Sequence, residues 1–244
     1  MTHPKFNLTI RPIAYADYRR IAESGDILIC RSSSIEGGII TRVTGAEYSH
    51  ASLVGWINPH RRDDPDSSAL MIVESVQHHG TRIIPLSGEI RQWSGLYDVY
   101  RPKDVYPRLY PFSNGYDGDA AFAWSCRGAG SSYGWLDLAR VGCRRYACWP
   151  LDRLPAVPNS DDPRFPRDCS CRVHAATRLH GGRILKAKDC DVVPGDFSDP
   201  RFFAYRGTLY FHEHEAKAVA EVIAAQRALN AAEADLLENG GDAA

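Results

Sequence analysis

Apolar residues in this chain fall into short runs and alternations rather than long stripes. Ile27 to Cys30, opened by the turn pair Gly25-Asp26, predicts a buried strand. From His50 to Ile57 the alternation sets His50, Ser52, Val54 and Trp56 on one face, with Ala51, Leu53, Gly55 and Ile57 on the other. Leu70 to Val76 repeats the pattern, with Leu70, Ile72, Glu74 and Val76 sharing a face. Thr81 to Pro85 and Leu96 to Arg101 supply two more strands, and Leu209 to Phe211 a last one. Ser32 to Gly38 and Asn58 to Ser68, rich in turn formers, read as connections. Short strands between turn signals predict an antiparallel sheet or small barrel.

Helical spacing appears elsewhere. The first twenty residues are expected to form a helical opening, with Tyr15, Tyr18, Ile21 and Ala22 at helical spacing, and Asp117 to Cys126 and Ser132 to Tyr146 carry compatible patterns. Five prolines from Pro150 to Pro166 exclude a regular element there. Cys169 to His180 follows as a helix, stopped by Gly181-Gly182. Asp189 to Phe203 is turn-rich, and Glu213 to Leu237 is an acidic, alanine-rich helix former with a thin stripe of Val219, Val222, Ile223 and Leu229. The expected class is α+β.

At 244 residues and 44% apolar, the chain suits one elaborated globular domain. The 29 basic and 30 acidic residues give a formal charge of −1, which argues against a basic nucleic-acid-binding domain and an acidic disordered regulator. The opening segment lacks the apolar run of a signal peptide, and no stretch approaches the ~18 apolar residues of a spanning helix. The default expectation is a cytoplasmic protein without an integral membrane segment; non-classical export and association with a virus particle stay open. The seven cysteines, at 30, 126, 143, 148, 169, 171 and 190, are an odd number and read as reduced thiols. A zinc site competes, but Cys169-Ser170-Cys171 has too short a spacing, and nothing recruits His78-His79 or His212-Glu213-His214 into one motif. No metal or cofactor is expected.

The candidate chemistry begins at Asp168-Cys169-Ser170, between the proline-rich loop and the helix. A thiol in a first helical turn faces unpaired N–H groups and the positive end of the dipole, both of which favour thiolate. Cys171 is the rival, and about 200° of helical rotation separates the two. Cys169 shares its face with Val173 and Ala176, Cys171 with Ala175 and Arg178, which favours Cys169 as the inward-facing thiol. The competing reading is a buried small hydrophobe capped by Asp168. His50, at the start of an apolar strand, stands where a helix N-terminus can dock. Glu74 lies inside Met71-Ile-Val-Glu-Ser-Val76, where a carboxylate is costly unless paired. An imidazole partner would satisfy it and orient the ring; an arginine such as Arg82 is the alternative.

These residues, in this order, resemble the circularly permuted branch of the NlpC-type, papain-like cysteine peptidases and amidases. Gly25-Asp-Ile-Leu-Ile29 is similar to the family's opening strand, and Tyr48-Ser-His-Ala-Ser-Leu-Val54 to its histidine strand. Ile72-Val-Glu-Ser75, with Gly80 and Ile84-Pro-Leu86, resembles the strand bearing the third polar residue. Gly130-Ser-Ser-Tyr-Gly-Trp135 is similar to the G-x-x-Y segment, Asp168-Cys-Ser170 to the nucleophile motif, and Val193 to Pro200 to the tail that follows it. The likeness spans roughly residues 25 to 205. It implies a papain-like fold with Cys169 as nucleophile, His50 as general base and then acid, and Glu74 as orienter. It also implies that Tyr133, Asp168 and Ser170 lie near the cleft where family members bind a peptide amine. Two positions depart from the pattern: Cys171 stands where permuted members commonly carry an acidic residue, and Tyr133 lies 36 residues before Cys169, farther than in unpermuted members.

The resulting expectation is a catalytic domain over 1–211, including the proline-rich loop 150–167, and a C-terminal helix with a frayed tail over 212–244. The resemblance implies a thiol hydrolase acting on an amide or ester: a peptide, a peptidoglycan stem peptide or an acyl-amide. Thiol acyl transfer on the same scaffold and a catalytically inactive binding or assembly module remain as alternatives. The C-terminal helix is a candidate surface for a protein partner or self-association.

Overall fold

The computed structural model describes residues 11–31, 48–58, 68–92, 96–103, 115–136, 159–182 and 189–210, together with Ala224. Seven strands make one sheet: β1 (Pro12–Ala14), β2 (Ile27–Arg31), β3 (His50–Ile57), β4 (Ala69–Val76), β5 (Gly80–Pro85), β6 (Leu96–Pro102) and β7 (Phe203–Tyr210). The helices among the described residues are α1 (Tyr15–Ile21), α2 (Leu86–Gln92), α3 (Gly118–Cys126) and α4 (Cys169–Leu179). The strand order is β1-β7-β6-β2-β3-β4-β5, with every pairing antiparallel except the parallel contact of β1 with β7. The class is α+β. No described helix is long and apolar enough to cross a membrane.

The central strands are buried on both faces, which explains their near-continuous apolar character. One face carries Leu28, Val54, Trp56, Leu70, Ile72 and Val99, closed by Tyr18 of α1 and Leu86 of α2. The opposite face carries Ile27, Ile29, Ala51, Leu53 and Val73, against Phe122 and Trp124 of α3 and Val173 and Ala176 of α4. Strand alternation therefore divides the apolar residues between two cores, and α3 and α4 lie together over β3 and β4.

Several expectations needed correction. The small barrel gives way to an open sheet whose outer strands are β1 and β5. Pro12–Ala14, read as part of a helical opening, pairs with β7 as a three-residue strand. Leu86–Gln92, where the sequence pattern predicts no element, is a helix of only seven residues whose Leu86 packs on the sheet. The last strand begins at Phe203 rather than Leu209. A bulge accounts for this: Val99 pairs with Gly207 and Tyr100 with Tyr205, so Arg206 is an extra residue that breaks the alternation. The helix expected over Ser132 to Tyr146 does not start at Ser132, because Tyr133 forms an isolated bridge with Arg167 and helical residues begin at Trp135; positions 137–146 lie outside the described residues. The expected helix over 213–237, apart from Ala224, and His212-Glu213-His214 lie outside the described residues.

Gly55 shows how closely α3 approaches the sheet: a Cβ there would lie 2.1 Å from the Phe122 ring. Gly55→Ala is expected to destabilise the fold by about 1–3 kcal/mol, the usual penalty of overfilling a closed core. Urea denaturation measures this, and an unchanged midpoint would mean that the ring yields freely.

Candidate active site

The start of α4 is fixed from three directions. Asp168 is its N-cap, accepting the Cys171 N–H at 2.7 Å. Just upstream, Arg167 bridges to Tyr133, and Gly134 lies so close that a Cβ would stand 2.6 Å from the Arg167 Cα. From inside the helix, the buried Arg172 donates to Ser75 of β4, to Ser131 and to the Pro163 carbonyl, each at 2.8 Å. Burial lowers the Arg172 pKa to about 10. Behind it, Asp189 accepts from Arg167 at 3.0 Å, bonds His174 at 2.8 Å and accepts from Arg178 at 3.1 Å. Every residue from Cys169 to Thr177 is buried. Burial therefore does not separate Cys169 from Cys171, and the face argument made from helical spacing loses its force.

The environment of the imidazole does separate them. His50 is the first residue of β3, at the end of the sheet where α4 begins. Its strand is pinned two residues earlier, where Tyr48 and Arg31 both donate to Asp98, at 2.7 and 2.8 Å. His50 Nε2 bonds Glu74 Oε2 at 2.8 Å. Nδ1 is thus the ring nitrogen not committed to Glu74, and of the two thiols it is Cys169 that bears on the His50 titration. Burial works against protonation of the ring, but Cys169 and then Glu74 outweigh it and hold the His50 pKa well above its usual value.

Glu74 is 2% exposed, and both its oxygens are used. Oε2 faces His50, while Oε1 accepts from Arg82 Nε at 2.7 Å. Burial favours the neutral acid, but the His50 bond and charge followed by Arg82 reverse it, so the carboxyl titrates below its usual range. Both partners expected for Glu74, His50 and Arg82, are therefore present. Arg82 is the residue whose importance the sequence understated, although it stands directly across from Glu74 in the β4–β5 ladder.

The remaining expected site residues surround this core. Asp168 is buried and occupied as a cap; burial raises its pKa against the bonds from Cys171 and Ser170. Ser170 is buried, with its hydroxyl 3.8 Å from the Cys169 sulfur. Tyr133 is buried beside Arg167 and makes an edge-on contact at 5.2 Å with the exposed ring of Trp135. Asp168 and Ser170 thus build the start of the helix, and Tyr133 flanks it. Cys126 shows what burial alone does to a thiol, its pKa being pushed up to about 11.

Among the described residues, no group of three or more His, Cys, Asp and Glu side chains is arranged to hold a metal ion. No family model and no curated protein matches the chain. Among solved structures, the metalloprotein yiiX from Escherichia coli O157:H7 is similar at 17% identity over 67% of this chain and 68% of that one, with a TM-score of 0.39. A likeness this faint decides neither fold nor chemistry.

The pKa directions set the pH behaviour. His50, raised on folding, contributes stability that is complete below its unfolded value of about 6.5 and disappears as pH rises through the folded value. Glu74, lowered on folding, contributes above its unfolded value of about 4.3 and loses that contribution as pH falls through the folded value. Denaturation from acid to alkaline pH should show both limbs, with the acid limb flattened in Glu74→Gln. NMR titration of the histidine rings should show the His50 midpoint falling in Cys169→Ala. An unmoved midpoint would disprove the coupling of ring and sulfur.

Proposed function

We propose that this protein is a papain-like, circularly permuted cysteine hydrolase that cleaves an amide or ester through an acyl-enzyme on Cys169. One observation carries the reading: a single imidazole interacts with a thiol at a helix start and with a buried carboxylate from another strand. Arrangements of this kind activate a nucleophile, because the base takes the thiol proton while the carboxylate fixes the ring and stabilises the resulting imidazolium.

The steps follow from those groups. Cys169 Sγ attacks the carbonyl carbon as its proton passes to His50, and negative charge gathers on the carbonyl oxygen. The Ser170 and Cys171 N–H groups are directed at the Asp168 carboxylate. Among the described residues none accepts from the Cys169 N–H, so this is the donor at the helix start suited to the oxyanion. The tetrahedral intermediate expels the amine or alcohol, which leaves with the proton held by His50. His50 then deprotonates a water that attacks the thioester carbonyl. Collapse releases the carboxylic acid product and returns the proton to the sulfur.

Two probes test the proposal without knowledge of the natural substrate. Limiting iodoacetamide near neutral pH should alkylate Cys169 ahead of the other six cysteines, with the preference lost in His50→Ala. p-Nitrophenyl acetate should give an acylation burst that is absent in Cys169→Ala and slowed by about 10²–10⁴-fold in His50→Ala. Indiscriminate alkylation with no burst would leave a binding or assembly module instead.

A further inference from the structure

We propose that Arg82 is a positioning residue of this site: by holding Oε1 of Glu74, it fixes the carboxylate so that Oε2 meets His50 Nε2. This inference rests on the hydrolase reading and adds a fourth residue to it, one that reaches the thiol only through Glu74 and His50.

The geometry of the β4–β5 ladder carries the argument. Glu74 and Arg82 are directly paired across the strands, so the guanidinium meets the carboxylate without a detour of its stem. Nε donates to Oε1 at 2.7 Å, on the oxygen that His50 does not use. The same guanidinium lies 3.6 Å from Glu89 Oε2 of α2, and Glu89 Oε1 accepts from Tyr97 of β6 at 3.1 Å. Arg82 therefore sits between two acidic side chains, each less than 10% exposed. Without it they would face each other in a desolvated corner, where like charges drive one carboxyl to take up a proton or turn away. Burial and the Glu74 charge already raise the Glu89 pKa. A Glu74 free to turn, or protonated, no longer holds the ring.

A passive neighbouring cation and a positioning residue have opposite effects on His50. The charged and titratable groups bearing on the ring are Cys169 and Asp168 from the helix start and Glu74 from β4, with Cys30 its cross-strand neighbour on β2. Behind Glu74 stand Arg82, Glu89 and Tyr97. If Arg82 merely adds positive charge, removing it raises the His50 midpoint. If Arg82 positions Glu74, removing it lowers the midpoint.

The experiment is an NMR titration of the histidine rings in the full chain, with Arg82→Met, Arg82→Gln and Arg82→Lys compared with the unmodified protein. Iodoacetamide alkylation of Cys169 is followed across pH in the same samples. The Met and Gln variants should lower the His50 midpoint by about one pH unit, a tenfold fall in the ratio of imidazolium to neutral imidazole at a given pH. Alkylation near neutral pH should slow accordingly, and the Lys variant should recover more than half of both effects. Arg82 is one-third exposed, so the fold should tolerate its replacement; circular dichroism checks this, and either neutral variant suffices. An unchanged or raised midpoint in a folded neutral variant overturns the proposal. The ring titration needs no turnover, so it still decides the role of Arg82 if Cys169 shows no preferential alkylation and the hydrolase reading itself fails.

Discussion

A carboxylate in the middle of an apolar strand sets the terms for this site. Glu74 sits in β4 with Ile72 and Leu70 on its own face, out of reach of solvent. An isolated charge in such a place would protonate or unfold the strand. The chain answers with two partners on separate oxygens: a ring from β3 and a guanidinium from β5. Both strands flank β4 in the sheet, so the pairing is a product of the meander β3-β4-β5. The ring held in this way has one nitrogen, Nδ1, that Glu74 does not use.

The start of α4 is buried and tied down by hydrogen bonds rather than floated on the surface. Nine consecutive residues at its start are buried, including the polar Ser170, Arg172, His174 and Thr177. Each buried polar group creates a demand for partners, and those demands tie α4 to the rest of the molecule. Arg172 reaches β4 and two loops, while Asp189 collects Arg167, His174 and Arg178. A helix buried mainly by apolar contact could slide or rotate more cheaply. This one is registered by hydrogen bonds, which is what the proposed nucleophile would require to stay aimed at a fixed base.

Much of the sheet was legible in the sequence. His50–Ile57 matches its predicted limits, and β2, β4, β5 and β6 shift by no more than a residue at either end, because strand alternation is a local signal. The α4 stop at Gly181-Gly182 is realised, with the Gly182 N–H returning to the Thr177 carbonyl. The misses share a cause. Pro12–Ala14 is a strand only because β7 offers it an edge, and β7 itself carries a bulge that erases the alternation. Leu86–Gln92 is too short to announce a helix without the sheet beneath it. Because Cys169 to Thr177 are all buried, helical spacing does not discriminate Cys169 from Cys171; the neighbouring imidazole does.

The sequence by itself determined which residues were available for chemistry: a cysteine behind a capping aspartate, a histidine opening a strand, and a carboxylate where apolar neighbours demand a partner. These are properties of short windows, readable from periodicity and propensity. Only the tertiary structure decided which thiol meets the imidazole, and that Glu74 takes both His50 and Arg82 rather than one of them. Contacts between residues about a hundred positions apart depend on register, crossover and the buried polar bonds that lock α4, and no local pattern encodes that distance.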